Sequence, residues 1–305
     1  MRVTSFAIAV ASCCFACSDA PAPPADVAPL VVLDAGAEPR AAFASVAAVG
    51  SRYDVTLTQS SSMALFADGK TIPETSVPAL HLTLGVEVVE RTRDAAKLRF
   101  AVAKAELDPS IQGDPSTRHM LEQELKTGSI TGLGGFVSID AAGLKRSTTS
   151  NLPNTASSIL RQVLNQVRQS LDQTVVPLPR DPIGVGARWS TVRTFDFSGI
   201  ELSERATWTL TARTTSTWSV RGEFEYSALG AVVKFPGMPD DAKLTLREMR
   251  GSGRGEYELD PGLAIPRSSN TVGTVDLKAN ALVKDKVEPI DATITMRCAS
   301  IASQR

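Results

Sequence analysis

The two stretches Thr207-Trp208-Thr209-Leu210-Thr211-Ala212 and Trp218-Ser219-Val220-Arg221-Gly222-Glu223-Phe224-Glu225-Tyr226 decide the fold class of this chain. Trp208, Leu210 and Ala212 fall on one side of an extended backbone, with Thr207, Thr209 and Thr211 on the other. In the second stretch Trp218, Val220, Phe224 and Tyr226 oppose Ser219, Arg221, Glu223 and Glu225. A strict period of two with one apolar and one charged side is the mark of a half-buried antiparallel strand. Working outward, the same alternation occurs at Tyr53, Val55 and Leu57, at Leu82, Leu84, Val86 and Val88, and at Leu98, Phe100 and Val102. The chain therefore reads as mainly β, with strongly curved antiparallel sheet or sheets forming a half-open, barrel-like body over residues 49–305.

One segment, residues 154–172, has a convincing helical period. Leu160, Val163, Leu164, Val167 and Leu171 share a stripe, and Asn154 after Pro153 suits an N-cap. This is the expected central amphipathic helix. A shorter helix is expected over residues 117–126. The helix at 154–172 joins two related β units, about 49–150 and 185–275. Val49-Gly50-Ser51-Arg52-Tyr53 matches Val185-Gly186-Ala187-Arg188-Trp189, and the strand and Asp- and Gly-containing turn over residues 135–143 match those over residues 255–262.

The N-terminus carries a different signal. Arg2, an apolar run over residues 6–11 and the small residues that follow form a secretory signal over residues 1–17, too short to span a bilayer as a mature helix. Val10-Ala11-Ser12-Cys13 resembles the lipobox of bacterial lipoproteins, which makes Cys13 the better lipidation candidate. Cys17, with the longer apolar run before it, is the second. Residues 18–48 are rich in Ala and Pro without period and are expected to be a disordered spacer. Three of the 4 cysteines lie in the signal, so a disulfide-stapled body is excluded. Cys298, in the alternating run Ile294, Met296, Cys298, is read as a small buried residue.

The segment Pro177-Leu178-Pro179-Arg180-Asp181-Pro182-Ile183-Gly184-Val185-Gly186-Ala187-Arg188-Trp189 resembles a signature of exported bacterial lipoproteins that carry a domain of unknown function. In that signature prolines precede a Gly-x-Gly and a Trp that opens a strand. The resemblance implies an exported protein, lipid-anchored in the cell envelope, on the outer membrane facing the periplasm or on the surface. It implies no activity.

The chemistry available to the body is narrow. A net charge of -1 without a basic stripe argues against nucleic acid as a partner. Two histidines, His81 and His119, leave little material for a metal cage, and no cofactor motif or metal set is expected. His81, at the head of a strand, is expected to be a packed or edge residue rather than a base, and His119 to share a helical face with Glu122. The glycine runs Gly251-Ser252-Gly253-Arg254-Gly255 and Gly132-Leu133-Gly134-Gly135 lead into strands rather than helices and are expected to mark bulges or coiling rather than phosphate loops. Asp240 and Asp241 are turn residues.

The expected function is therefore a non-catalytic, membrane-anchored lipoprotein. Its concave sheet, through Trp208, Trp218, Phe224 and Tyr226 with Leu164 of the helix, holds an apolar or amphipathic ligand. A structural or protein-interaction lipoprotein without a ligand cavity is the alternative, and a hydrolase ranks last.

Overall fold

A computed structural model of the protein describes residues 30–45, 47–67, 70–92, 95–108, 115–127, 130–140, 145–150, 171, 175–197, 200–229, 232–233, 243–283 and 286–305. The strands, in chain order, are β1 (Val31–Asp34), β2 (Arg52–Ala67), β3 (Lys70–Arg91), β4 (Ala95–Leu107), β5 (Gly134–Asp140) and β6 (Lys145–Ser150). The second half holds β7 (Arg188–Phe197), β8 (Ile200–Arg213), β9 (Trp218–Leu229), β10 (Val232–Val233), β11 (Lys243–Leu259), β12 (Ser268–Val283) and β13 (Lys286–Gln304). One helix, α1 (Pro115–Thr127), lies between β4 and β5.

All pairings are antiparallel, and the strands form one sheet in the order β1-β7-β8-β9-β11-β12-β13-β2-β3-β4-β5-β6. β10 continues the edge of β11 beyond β9. The last strand pairs with the second, Gln304 opposite Tyr53, so the two ends of the body meet in the middle of the sheet. Arg305 completes this seam, its amide donating to the Arg52 carbonyl and its guanidinium to Asp54, which holds the Asp54 carboxyl below the usual range. Among the described residues β1 and β6 do not meet, and the sheet is open.

One face is buried from β8 through β13 and β2 to β5, while β1 at one edge is exposed. Across the seam Val55 faces Ala302, Leu57 faces Ser300 and Met63 faces Ile294, and all six are buried. The other face carries exposed charge, including Arg205, Arg221, Glu223, Glu225, Arg254 and Glu256. A flat sheet of this width has nothing to cover its apolar face, so the sheet curls on itself. Ile139 of β5 and Ile265 of the β11–β12 turn belong to one core cluster although β5 and β11 stand six strands apart in the order. Laid flat, that separation is roughly 29 Å at about 4.8 Å per strand.

A recurring turn opens strands in both halves. Gly50, Gly132 and Gly186 have φ of 90°, 88° and 86°, and each is the third residue of a turn closed by an i to i+3 bond: Ser51 to Ala48, Leu133 to Ile130 and Ala187 to Gly184. Positive φ at that position defines a type II turn, which favours glycine. The registers also correspond. Val88, Leu98, Val137 and Thr148 form a row across β3 to β6 in the first half. Leu210, Val220, Tyr257 and Ser269 form its counterpart across β8, β9, β11 and β12.

One expectation needs correction, and a second falls outside the described residues. Residues 30–48 are not spacer: β1 pairs with β7, Ala41 bridges Ile183, Phe43 meets the Trp218 ring edge-on at 5.3 Å, and Ala47 is buried. Here backbone pairing, to which Ala/Pro composition is blind, orders the chain. Gly36 and Gly184 bring the two backbones so close that a Cβ on Gly184 would lie 1.6 Å from the Ala37 carbonyl oxygen.

The expected central helix over 154–172, with Leu164, lies outside the described residues apart from Leu171, which is helical and buried in the first core cluster. The described helix is α1, at the site of the shorter helix expected over 117–126. It begins on Pro115, whose missing amide costs nothing at a helix start, and ends with Lys126 in its last turn. No helix among the described residues is long and apolar enough to cross a membrane.

Candidate functional site

The aromatic residues expected to line a ligand site form a packed plate instead. Trp208 meets Phe224 edge-on at 5.4 Å and Tyr257 at 5.4 Å, while Phe224 stacks on Tyr226 at 6.3 Å. Trp208, Trp218 and Phe224 are all buried, and the Trp208 indole donates to Thr191 Oγ1 at 3.2 Å. Arg213 covers the Trp218 ring from 5.6 Å. The physical reason is the glycine run. Gly253 and Gly255 sit within β11 on the buried face, with Gly222 opposite Gly255. A Cβ on Gly222 would lie 2.8 Å from Phe224 Cζ and 2.9 Å from Trp208 Cζ3, and one on Gly255 would lie 2.7 Å from Tyr257 Cε2. The glycines leave the depth that rings need to lie against the strand backbone. They are strand-interior positions, and the one bulge of β11 falls at Leu246/Glu248.

A polar cluster adjoins the plate on the same face. Arg193 of β7 grips Glu204 of β8 with both arms, Nε to Oε1 at 2.6 Å and Nη2 to Oε2 at 3.0 Å. Glu204 is 3% exposed. A bidentate guanidinium–carboxylate pair is the arrangement that offsets such burial best. Tyr226, directly across from Glu204, has its phenol pushed up by burial first and by the Glu204 charge second, and Tyr257 is raised for the same leading reason. Cys298 is buried near this group. Nothing in the sequence marked the Arg193–Glu204 pair, because on an alternating strand an inward charge looks like an interruption until its partner is known.

The open space is elsewhere, at the end of the curled sheet where β3 and β5 finish and β4 starts. A cleft of about 300 Å³ lies there, walled by Phe43, Ile139, Val176, Leu178, Leu263 and Ile265. Its rim bears Arg91, Asp140, Arg180 and Asp260. Arg91 is committed to the backbone of the N-terminal segment, donating to the Ala47 carbonyl at 2.7 Å and to that of Ser45. Asp260 accepts from the Gly262 amide at 2.7 Å and pairs with Arg267. Burial raises its carboxyl, but those two contacts outweigh that and hold it below the usual range. Leu178, Pro179 and Arg180 come from the proline segment that the sequence singled out, so that motif builds a wall of the cleft. A wider depression of about 480 Å³ at the other end, between Phe66 and Thr71 on one side and Arg250 and Lys278 on the other, has charged walls. There Glu248 pairs with both Arg250 and Lys278.

On the outer face, His81 is held between two partners, Nδ1 to Thr58 Oγ1 at 3.0 Å and Nε2 to Asp108 Oδ2 at 2.8 Å. The hydroxyl–imidazole–carboxylate chain ties β2, β3 and the end of β4 together beside α1, and Arg118 of that helix caps the Asp108 carbonyl. His119 is exposed, and Glu122 takes Arg118 as its partner at 3.0 Å. Among the described residues no group of histidine, cysteine and carboxylate side chains is arranged to hold a metal ion. Asp240 and Asp241 lie outside the described residues, as do Cys13 and Cys17.

No family model matches the chain, and no curated protein does. Among solved structures, the outer membrane protein OprG from Pseudomonas aeruginosa is similar over 85% of this chain and 99% of its own, with 5% identity and a TM-score of 0.23. That likeness is too slight to speak for a shared fold.

Proposed function

We propose that this protein is a lipid-anchored, non-catalytic member of a bacterial cell envelope whose β body binds a small apolar or amphipathic ligand. The cleft of about 300 Å³ carries this reading, because it is a concave, mostly apolar space at the open end of a curled sheet with a few polar groups at its rim. The anchor rests on the lipobox-like run at Cys13, with Cys17 second, and on the resemblance of residues 177–189 to exported lipoproteins. A soluble body tethered beside the membrane suits the outer face better than a spanning barrel does, since each outward Arg would cost about 2–4 kcal/mol at a bilayer midplane and each outward Glu a further, smaller amount.

Intact-mass spectrometry of the protein purified from membranes tests both parts at once. The expected result is an acylated N-terminal cysteine together with a co-purifying amphiphile. Replacing Cys13 and Cys17 with Ser should move the protein out of the membrane fraction. A second reading, a structural or interaction lipoprotein, is favoured by the close packing of Trp208, Trp218 and Phe224. It gains if the purified protein carries no ligand and binds none.

A further inference from the structure

Building on that reading, we infer that the ligand of the cleft is a single-chain amphiphile with an anionic head, and that Arg180 is the residue that receives the head. The rim charges are not equivalent. The Asp260 carboxylate is neutralised by Arg267, and Arg91 spends its donors on the Ser45 and Ala47 carbonyls. Arg180 is exposed at the cleft edge, between the apolar wall residues Leu178 and Pro179 and open solvent. Of the charged residues that line the cleft, Arg91 and Arg180 balance Asp140 and Asp260; Arg267, outside the lining, offsets Asp260 and leaves Arg91 and Arg180 against Asp140. Asp181, next in sequence, does not line the cleft.

The walls behind Arg180 are aliphatic and aromatic: Phe43, Ile139, Val176 and Ile265. A cleft of about 300 Å³ holds on the order of ten methylenes, each about the size of a water molecule at ~30 Å³. An apolar tail of that length in the cleft places its head at the mouth, where a guanidinium offers paired donors to a carboxylate or phosphate. A neutral head gains less from the Arg180 guanidinium than a carboxylate or phosphate does, because its hydrogen bond carries no opposite charge. The segment 177–189 thus supplies, in Leu178 and Arg180, one contact for each end of the ligand.

The test is calorimetric titration of the purified full chain with dodecanoate and, separately, with dodecanol. The wild type should bind both, dodecanoate more tightly. Arg180→Ala should weaken dodecanoate on the order of tenfold, the scale of one lost charge-assisted hydrogen bond, and weaken dodecanol less. Ile265→Trp, which fills the cleft, should weaken both. If Arg180→Ala leaves dodecanoate binding unchanged while Ile265→Trp abolishes it, the cleft reading stands and the role of Arg180 is overturned. If neither amphiphile binds the wild type, the cleft reading falls and the role of Arg180 falls with it.

Discussion

Trp208 of β8 faces Gly222 of β9 directly across the sheet, and the indole occupies the depth that a side chain at Gly222 would need. The largest residue type of the chain and the smallest are thus one structural unit, repeated where Tyr257 shelters beside Gly255. Gly222→Ala should destabilise the protein by about 1–3 kcal/mol through overpacking, although Ala ordinarily suits a strand no worse than Gly does. Denaturant unfolding followed by tryptophan fluorescence measures this. A neutral or stabilising effect would show that the rings have room to move.

The two raised phenols set an alkaline limit. A tyrosine whose folded pKa lies above its unfolded value keeps its proton in the folded state while the unfolded chain loses it. Stability is therefore complete below about pH 10 and falls as pH rises from there toward the folded values. Thermal melts between pH 8 and 12 should show a steep drop above pH 10, and Tyr226→Phe should shallow it. An absorbance titration at the tyrosinate band should show Tyr226 and Tyr257 ionising only as the protein unfolds.

Removing Glu204 leaves the Arg193 guanidinium beside two tyrosines on an apolar face. Glu204→Gln should cost about 2–4 kcal/mol, below the full value for a buried pair because Arg193 is partly open to solvent. The surface pair of Arg250 with Glu248 is a control, and Arg250→Ala should change stability by no more than about 1 kcal/mol. Equal effects from the two substitutions would contradict the difference in burial.

The N-terminal strap separates two truncations. A chain beginning at Leu30 keeps β1, the Gly36–Gly184 contact and Phe43, and should melt cooperatively near the full-length temperature. A chain beginning at Gly50 uncovers Trp218 and the edge of β7, and should melt lower with a weaker near-ultraviolet circular dichroism signal. Identical melting curves would mean that the strap adds no stability.

The sequence by itself determined the β character and most of the strand faces. Alternation at Trp208–Leu210 and Trp218–Tyr226 is a local consequence of a two-residue period, whereas Ala212, read on the same face as Trp208, is exposed beyond a register shift at Leu210/Ala212. The same local logic read Cys298 as a small buried residue. What each buried face packs against is not local. Alternation says that Trp208 points inward, but whether it meets a ligand or another ring depends on Gly222 and Tyr257, which approach only when the strands pair. The spacer reading failed at residues 30–48 for the same reason, since pairing with residues 183–190 is invisible in composition. Asp108 joins His81, and Arg193 joins Glu204, only through register. The cleft is the extreme case: its walls come from β5, from the N-terminal strap, from the proline segment and from the β11–β12 turn, which the curl of one sheet gathers at a single end.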